Sequence, residues 1–364
     1  MGKRGRVTLR DVAARAGVSA TTASFVLSGR RDMRISAGTE ERVFQAARTL
    51  DYRRHLVPRT TVPAGAPTVG LICDVIATES FAGELLRGCI AAATDRGHLV
   101  LMADTEGVGN LEASAVQALL SRGVDRFIYA TMATSVRSVP EPLRDRRLVL
   151  ANCVDPTLAV PAVVPDDGRG GRTAAKALAD AGHTTGIWLV GEVPAHAVAG
   201  RRRRAGVEEG LRAAGLRLAG RVPCAWWPQA ARAALTDLFR AGWWDTARPT
   251  AVITMNDRTA MGVYQAVAAA GLTVPDDLSV ISFDNSDIAR WLDPELSSIN
   301  LPYFDLGRRA VELLLAGDAE PRVRELPMRL RSRASVAAPA RTTGPAGRRP
   351  RPAMRAEQPL TDLG

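Results

Sequence analysis

From Thr68 to the neighbourhood of Leu330, short apolar runs alternate with longer helical stretches, and this alternation leaves few folds open. The runs at 68–74, 98–103, 125–130, 147–152, 161–165, 186–190, 221–225, 250–254 and 278–283 read as strands. Segments such as FAGELLRGCIAAATDRG and GGRTAAKALADAG lie between them and repeat apolar residues at helical spacing. Strands alternating with helices over such a length predict an α/β architecture of parallel sheets, too large for one core. Two lobes are therefore expected, 68–165 with 285–317 and 166–284 with 318–332, together a body over 68–332.

Charge is distributed unevenly around this body. Residues 1–61 hold 13 Lys and Arg against 5 Asp and Glu, residues 331–364 hold 7 against 2, and the middle holds 28 against 31. Basic ends on a near-neutral body point to a polyanion touching the ends. For the C-terminal segment, solubility alone is an equal explanation. Lysine occurs only at Lys3 and Lys176, so the arginine bias reads as coding composition rather than phosphate recognition. The four cysteines are widely spaced, without a C-x-x-C pair, and the four histidines lack ligand spacing, so neither disulfides nor metal are expected. No apolar run is long enough to span a bilayer and no signal-peptide core opens the chain, which makes the cytoplasm the expected compartment.

The N-terminal segment has a different pattern. In TLRDVAARAG, Thr8 can cap a helix with Asp11 three residues on, and Gly17 can end it; Leu9, Val12, Ala13 and Ala16 form its buried stripe. Ser19 then caps a second helix in VSATTASFVLSG. Placing Ala23, Val26 and Leu27 inward leaves Thr21, Ser24, Phe25 and Ser28 together on the other face. A third helix follows from Ser36, with Val43, Ala46, Ala47 and Leu50 inward. Helix, glycine turn, helix is the helix-turn-helix pattern, whose second helix enters the major groove of double-stranded DNA. Residues 1–55 are read as this three-helix headpiece, with Thr8 counted among its DNA-facing residues.

The ordered motifs D-V-A-x-x-A-G-V-S, T-x-S-x-V-L-x-G, T-x-E-R-V-x-x-A and L-x-Y-R strongly resemble the headpiece of the lactose-repressor (LacI) family of bacterial transcription regulators. The resemblance implies that Ala20, Thr21 and Phe25 read bases and that Ser19 and Ser24 touch phosphates. Phe25 stands where the family usually has Arg, so guanine readout gives way to apolar contact, for instance with a thymine methyl. The family's hinge helix, Y-R-P-N-x-x-A-R-x-L, is replaced by YRRHLVPRTTVPAGAP: Arg54 and His55 for Pro-Asn, Pro58 inside the helix, Thr61 for the wedge leucine. A helix-interior proline costs about 3 kcal/mol, so residues 56–67 are read as a degenerate hinge and linker. Arg53, Arg54 and Arg59 remain available to phosphates.

The body resembles the same family's periplasmic-binding-protein type I effector domain through VVPDDGRGGRTAAKALADAGH, PTAVITMNDRTAMGVYQA and GLTVPDDLSVISFDN. Ligands of such sheets bind at the carboxyl ends of strands. That rule selects Asp74, Phe81, Asn152, Asp155, Asp166, Arg203, Asn256, Asp257 and Asp284. The resemblance implies that Arg203 and Asp257 hold hydroxyls of a sugar-like effector and that Phe81 stacks on its apolar face. TES in place of N-P-F, and Leu301 where Gln is frequent, depart from the family. Trp226-Trp227 and Trp243-Trp244 fit either sugar stacking or, the preferred reading, helix packing. Asp166-Asp167 do not read as a catalytic carboxylate pair, and no hydrolase elbow, zinc or phosphate-loop motif is present, so neither an enzyme nor a cofactor is expected. Residues 333–364, rich in Pro, Ala and Arg, are expected to be a disordered basic tail.

The expectation is an effector-responsive repressor that binds a pseudo-palindromic operator as a homodimer, released by a sugar-like ligand. The competing reading is a sugar-binding receptor with weak DNA affinity. The substitutions Pro58→Ala with Thr61→Leu are expected to tighten specific operator binding by about tenfold in gel-shift titrations; unchanged affinity overturns the hinge argument.

Overall fold

The computed structural model describes residues 8–27, 35–50, 65–76, 83–191, 198–317 and 320–339. The chain divides into two compact units, Met1–Thr60 and Thr61–Gly364.

The first unit contains α1 (Leu9–Ala16), α2 (Ala20–Leu27) and α3 (Ala37–Thr49). Thr8 and Asp11 form a reciprocal capping box on α1, and Gly17 ends it in the left-handed region at φ 66°. The backbone N–H of Thr22 donates to Ser19 Oγ at 3.0 Å, and that of Thr39 to Ser36 Oγ at 3.3 Å, so each later helix opens on a serine cap. Val12, Ala13, Ala16, Ala23, Val26, Val43, Ala46 and Ala47 form the core, the inward stripes expected from spacing.

The second unit holds two six-stranded sheets. Its strands are β1 (Thr68–Cys73), β2 (Leu99–Asp104), β3 (Arg126–Val136), β4 (Arg147–Val154), β5 (Ala162–Pro165), β6 (Ile187–Val190), β7 (Gly220–Val222), β8 (Ala251–Thr254), β9 (Ser279–Asp284), β10 (Ser297–Asn300), β11 (Val323–Leu326) and β12 (Arg329–Arg331). The first lobe has the order β11-β5-β4-β3-β1-β2 and is wholly parallel. The second has the order β12-β10-β9-β8-β6-β7, with β12 alone antiparallel. All nine expected strands are present.

The lobe boundaries need correction. Residues 285–300 stay with the second sheet, because β10 runs beside β9 with Ser297 opposite Ile281. Residues 323–326 return to the first, because β11 pairs with β5 with Val323 opposite Ala162. The backbone thus crosses between lobes three times, after β5, β10 and β11. The tail boundary also moves. Ser335 is fully buried; its Oγ donates to Val280 O at 2.6 Å and accepts from Ser297 N at 2.8 Å, while Ala337 N donates to Ser279 Oγ. Residues 333–339 are therefore stapled to the second lobe. The expected hinge and the remainder of the tail lie outside the described residues.

Two helix pairs pack backbone to backbone through glycine. Between Asp167–Asp180 and Val198–Ala213, a Cβ on Gly206 would lie 2.0 Å from Gly168 O, and one on Gly171 would lie 2.2 Å from Arg203 O. Gly88 and Gly307 make the same approach between Gly83–Thr94 and Tyr303–Ala316. Gly206→Ala is expected to separate the first pair, costing about 1–3 kcal/mol in urea unfolding. Gly109→Ala, at a position with open space, serves as the control and is expected to be near neutral.

Candidate functional site

The C-terminal end of β3 is where the cleft begins. Its pairing with β4 loses register between Ala130 and Ser135, so residues 131–134 leave the ladder. Met132, Ala133 and Thr134 thereby reach a cleft of about 380 Å³, counting the space at its mouth, together with Asn152, Leu301 and Tyr303. The second lobe contributes Ala199, Arg203, Trp226, Asn256, Arg258 and Asp284.

Arg203 organises the floor. Its Nε donates to Asp167 Oδ1 at 2.9 Å, and its Nη1 to Met255 O at 2.7 Å and Asp284 Oδ1 at 3.4 Å. The guanidinium lies over the Phe283 ring, 4.8 Å from its centroid, and 5.9 Å from that of Trp226. Asp167 is fully buried, so this is a desolvated ion pair with hydrogen bonds to hold it. Arg203 Nη2 has no acceptor among the described residues. Asp284 sits at φ 101°, a left-handed conformation that a non-glycine residue adopts only under constraint. Burial raises its carboxyl above the ordinary range, against the opposing pull of Arg203 and Arg258. Donor and acceptor thus stand side by side on the floor of the cleft.

Among the expected effector residues, Asn152, Arg203, Asn256 and Asp284 reach the cleft together. Two of these carry mainly structural bonds. Asn152, at φ 60°, donates Nδ2 to Thr131 O and Met132 O and accepts from Thr134 Oγ1 at 2.7 Å. Asn256 caps Asp257–Ala269, accepting from Thr259 N and Oγ1.

Asp74, Asp155, Asp166 and Asp257 do not line the cleft. Asp257 accepts from Ser298 Oγ on one oxygen and from Ser286 N and Oγ on the other; burial and the nearby Asp284 push its carboxyl up to about 7. It ties α/β loops together rather than offering itself to a ligand. Asp74 accepts from Val75 N and Met132 N, thereby holding the displaced end of β3. Asp155 accepts from Thr157 and Val139 N at a loop. Asp166 caps Asp167–Asp180 through Arg169 N, and its neighbour Asp167 takes the arginine. Phe81 lies outside the described residues.

Sequence reasoning missed Met132, Thr134, Asp167, Arg258 and Tyr303. The guanidinium of Arg258 lies 4.3 Å over the Trp227 ring, and Tyr303 donates to Met132 O at 2.8 Å. The tryptophan doublets split: Trp226 lines the cleft, whereas Trp243 packs edge-on against Trp188 and Phe239. The four cysteines are buried and free; burial pushes the thiols of Cys73, Cys89 and Cys153 up to about 12, which leaves them un-nucleophilic.

On the headpiece, Ala20 and Thr21 are exposed, Ser24 and Phe25 half-buried, and Ser19 exposed while capping α2. Ser28, Arg53, Arg54 and Arg59 lie outside the described residues. Thr8 is exposed and engaged in its cap.

Residues 8–55 match the model of bacterial regulatory proteins of the lacI family, and residues 175–336 match a periplasmic binding protein-like domain. The sucrose operon repressor of Escherichia coli is 31% identical over 341 residues, covering 90% of this chain and 99% of that protein. This chain belongs to the lacI family of bacterial regulatory proteins. The transcriptional repressor PurR of Vibrio vulnificus is 28% identical over 316 residues, 85% of this chain and 91% of that protein. The transcriptional regulator CelR, in its complex with cellobiose, superposes with a TM-score of 0.62 at 27% identity, covering 91% of this chain and 100% of that one. Among the described residues of this lacI-family chain, no helix is long and apolar enough to cross a membrane.

Removing one partner of the buried ion pair strands the other. Arg203→Met is expected to destabilise the second unit by about 3–5 kcal/mol, and adding Asp167→Leu to recover most of that loss in urea titrations. Both variants are expected to lose ligand response.

Proposed function

We propose that this lacI-family chain is a transcriptional repressor that holds an operator through its headpiece and releases it when a sugar-like effector enters the cleft. The observation that carries the effector half is the floor of the cleft, where the Arg203 guanidinium meets the Asp284 carboxyl through Nη1 at 3.4 Å. A hydroxyl accepts from the first and donates to the second, so a vicinal diol satisfies both groups. Trp226 beside them supplies the flat apolar surface that a pyranose ring face covers. That CelR was solved with cellobiose agrees with this chemistry. The chemistry of the cleft is that of binding, and no catalytic role is assigned to it.

The DNA half rests on α2. Its outward face presents Thr21 and half-buried Ser24, small groups that let the helix lie close to base edges, with the half-buried Phe25 ring beside them for apolar contact. Ser19 and Ala20 extend that face; Ser28, Arg53, Arg54 and Arg59, outside the described residues, complete the proposed DNA contacts.

The acting form is a dimer. The edge strand β2 exposes Leu99, Leu101 and Met102, and the following segment exposes Val108 and Leu111, each by 36% or more. An unpaired edge carrying that apolar surface fits a second copy of the chain, and two-fold symmetry suits a palindromic operator.

Footprinting on DNA flanking its own gene is expected to show a protected pseudo-palindrome that fades as the effector is added. Diffuse, salt-sensitive binding alone counts against specific recognition. Phe25→Arg is expected to move the preferred half-site toward guanine, by about 1–3 kcal/mol at one base pair. An unchanged preference in a randomised-site selection removes Phe25 from the base-reading face.

A further inference from the structure

The acceptor on the cleft floor sits on a turn that its own sequence does not favour. Asp284 lies at φ 101° and Asn285 at φ 52°, so two successive non-glycine residues are left-handed where β9 ends. Asparagine tolerates that region, whereas aspartate at such a φ persists only where its surroundings fix it. Three bonds fix the turn by its backbone. Leu301 N donates to Asp284 O at 3.2 Å, Asn285 N to Ser298 Oγ at 2.9 Å, and Ser286 N to Asp257 Oδ2 at 2.7 Å.

A fourth hold comes from the C-terminal segment that follows β12. Asn285 Nδ2 donates to Asn300 Oδ1 at 2.9 Å, and Asn285 Oδ1 accepts from Arg333 Nη2 at 2.6 Å. The amide is therefore clamped from both sides, and the arginine side is a charge-assisted bond. Arg333 is itself anchored. Its Nη1 donates to Leu296 O at 2.6 Å, its Nε lies 3.2 Å from Glu295 Oε2, and its backbone N donates to Ser297 Oγ at 2.9 Å. Two residues on, Val280 N donates to Ser335 O at 2.8 Å, so the segment is tied to β9 by its backbone as well as by the Ser335 hydroxyl.

We infer that Arg333 is a positioning residue for the cleft floor: through the Asn285 amide it sets the direction in which Asp284 offers its carboxyl to a ligand. Its consequence for effector binding rests on reading the Arg203–Asp284 floor as the effector site. Arg333 does not line the cleft and acts only through its neighbour. Without it the Asn285 amide is held by Asn300 alone and can turn. The left-handed pair then relaxes, and the Asp284 carboxyl moves with the peptide that follows it.

The test uses the full chain and has two arms. Without ligand, hydrogen exchange is followed at the Leu301 amide, which donates to Asp284 O. Arg333→Met and Asn285→Gly are each expected to speed that exchange by about tenfold, and the double variant no more than either alone. Glycine adopts φ 52° freely and removes the arginine's acceptor, so it isolates the contact without touching the C-terminal segment. Ser335→Ala is the control: it is expected to lower the thermal midpoint and to leave exchange at Leu301 within about twofold. In the second arm, calorimetry below each thermal midpoint reads affinity for D-ribose, D-glucose, sucrose and cellobiose. A sugar that binds the wild-type chain is expected to bind Arg333→Met and Asn285→Gly about tenfold more weakly, the double variant no more weakly still, and Ser335→Ala almost unchanged. Additive losses, or a loss in Ser335→Ala equal to that in Arg333→Met, assign the effect to the general hold of the segment and overturn the inference. Unchanged exchange or unchanged affinity in Arg333→Met overturns it as well. If none of the four sugars binds the wild-type chain while operator protection persists, the sugar reading fails, and the exchange arm still decides whether Arg333 sets the turn.

Discussion

The buried pair between Arg203 and Asp167 is the interaction on which the site depends. A guanidinium and a carboxylate this far from water cost several kcal/mol each to desolvate, and only close geometry with further hydrogen bonds offsets that. The fold supplies the geometry by bringing two helices into backbone contact at Gly171 and Gly206, so that the arginine meets the aspartate at 2.9 Å. Any side chain at those glycines would hold the helices apart. Once seated, Arg203 reaches the backbone of Met255 and the carboxylate of Asp284, and so fixes the ends of two neighbouring strands. The floor is rigid because the charge beneath it admits few alternatives.

Much of this was legible in the chain. Apolar spacing alone gave the headpiece core, because Val12, Ala23, Val43 and their neighbours repeat at helical intervals in a domain too small to bury anything else. The central strands were legible because each is a run of buried aliphatics. The strands that escaped notice are short and lack such runs: Ser297–Asn300 is mostly polar, and Val323–Leu326 alternates exposed and half-buried residues at a sheet edge. Missing them misplaced two of the three crossovers between lobes.

The site was legible only by neighbourhood. The rule that ligands bind at the carboxyl ends of strands selected loops that border the cleft, yet it does not say which of two adjacent side chains turns inward. Asp166 and Asp167 differ by one position; one caps a helix at the surface and the other is buried under the arginine. Asp257 and Asp74 were picked for their charge and are consumed by loop hydrogen bonds. Met132 and Thr134 carried no signal, because the departure of β3 from its ladder is a property of pairing, invisible in composition.

The lobes themselves are joined lightly. Across the cleft, Thr134 Oγ1 stands 3.4 Å from Asp167, a long contact for a hydroxyl whose shorter bond is elsewhere. Arg202 meets Glu325 at 2.7 Å, with both side chains more than two-fifths exposed; such a pair contributes on the order of 0–1 kcal/mol. Where two lobe arrangements exist, a ligand moves their equilibrium only by the difference in its affinity for the two. A polar face on one lobe and an apolar face on the other create that difference. Hydrogen bonds to Arg203 and Asp284 form whether or not the opposite wall has closed, whereas burial against Met132 and Tyr303 is gained only on closure.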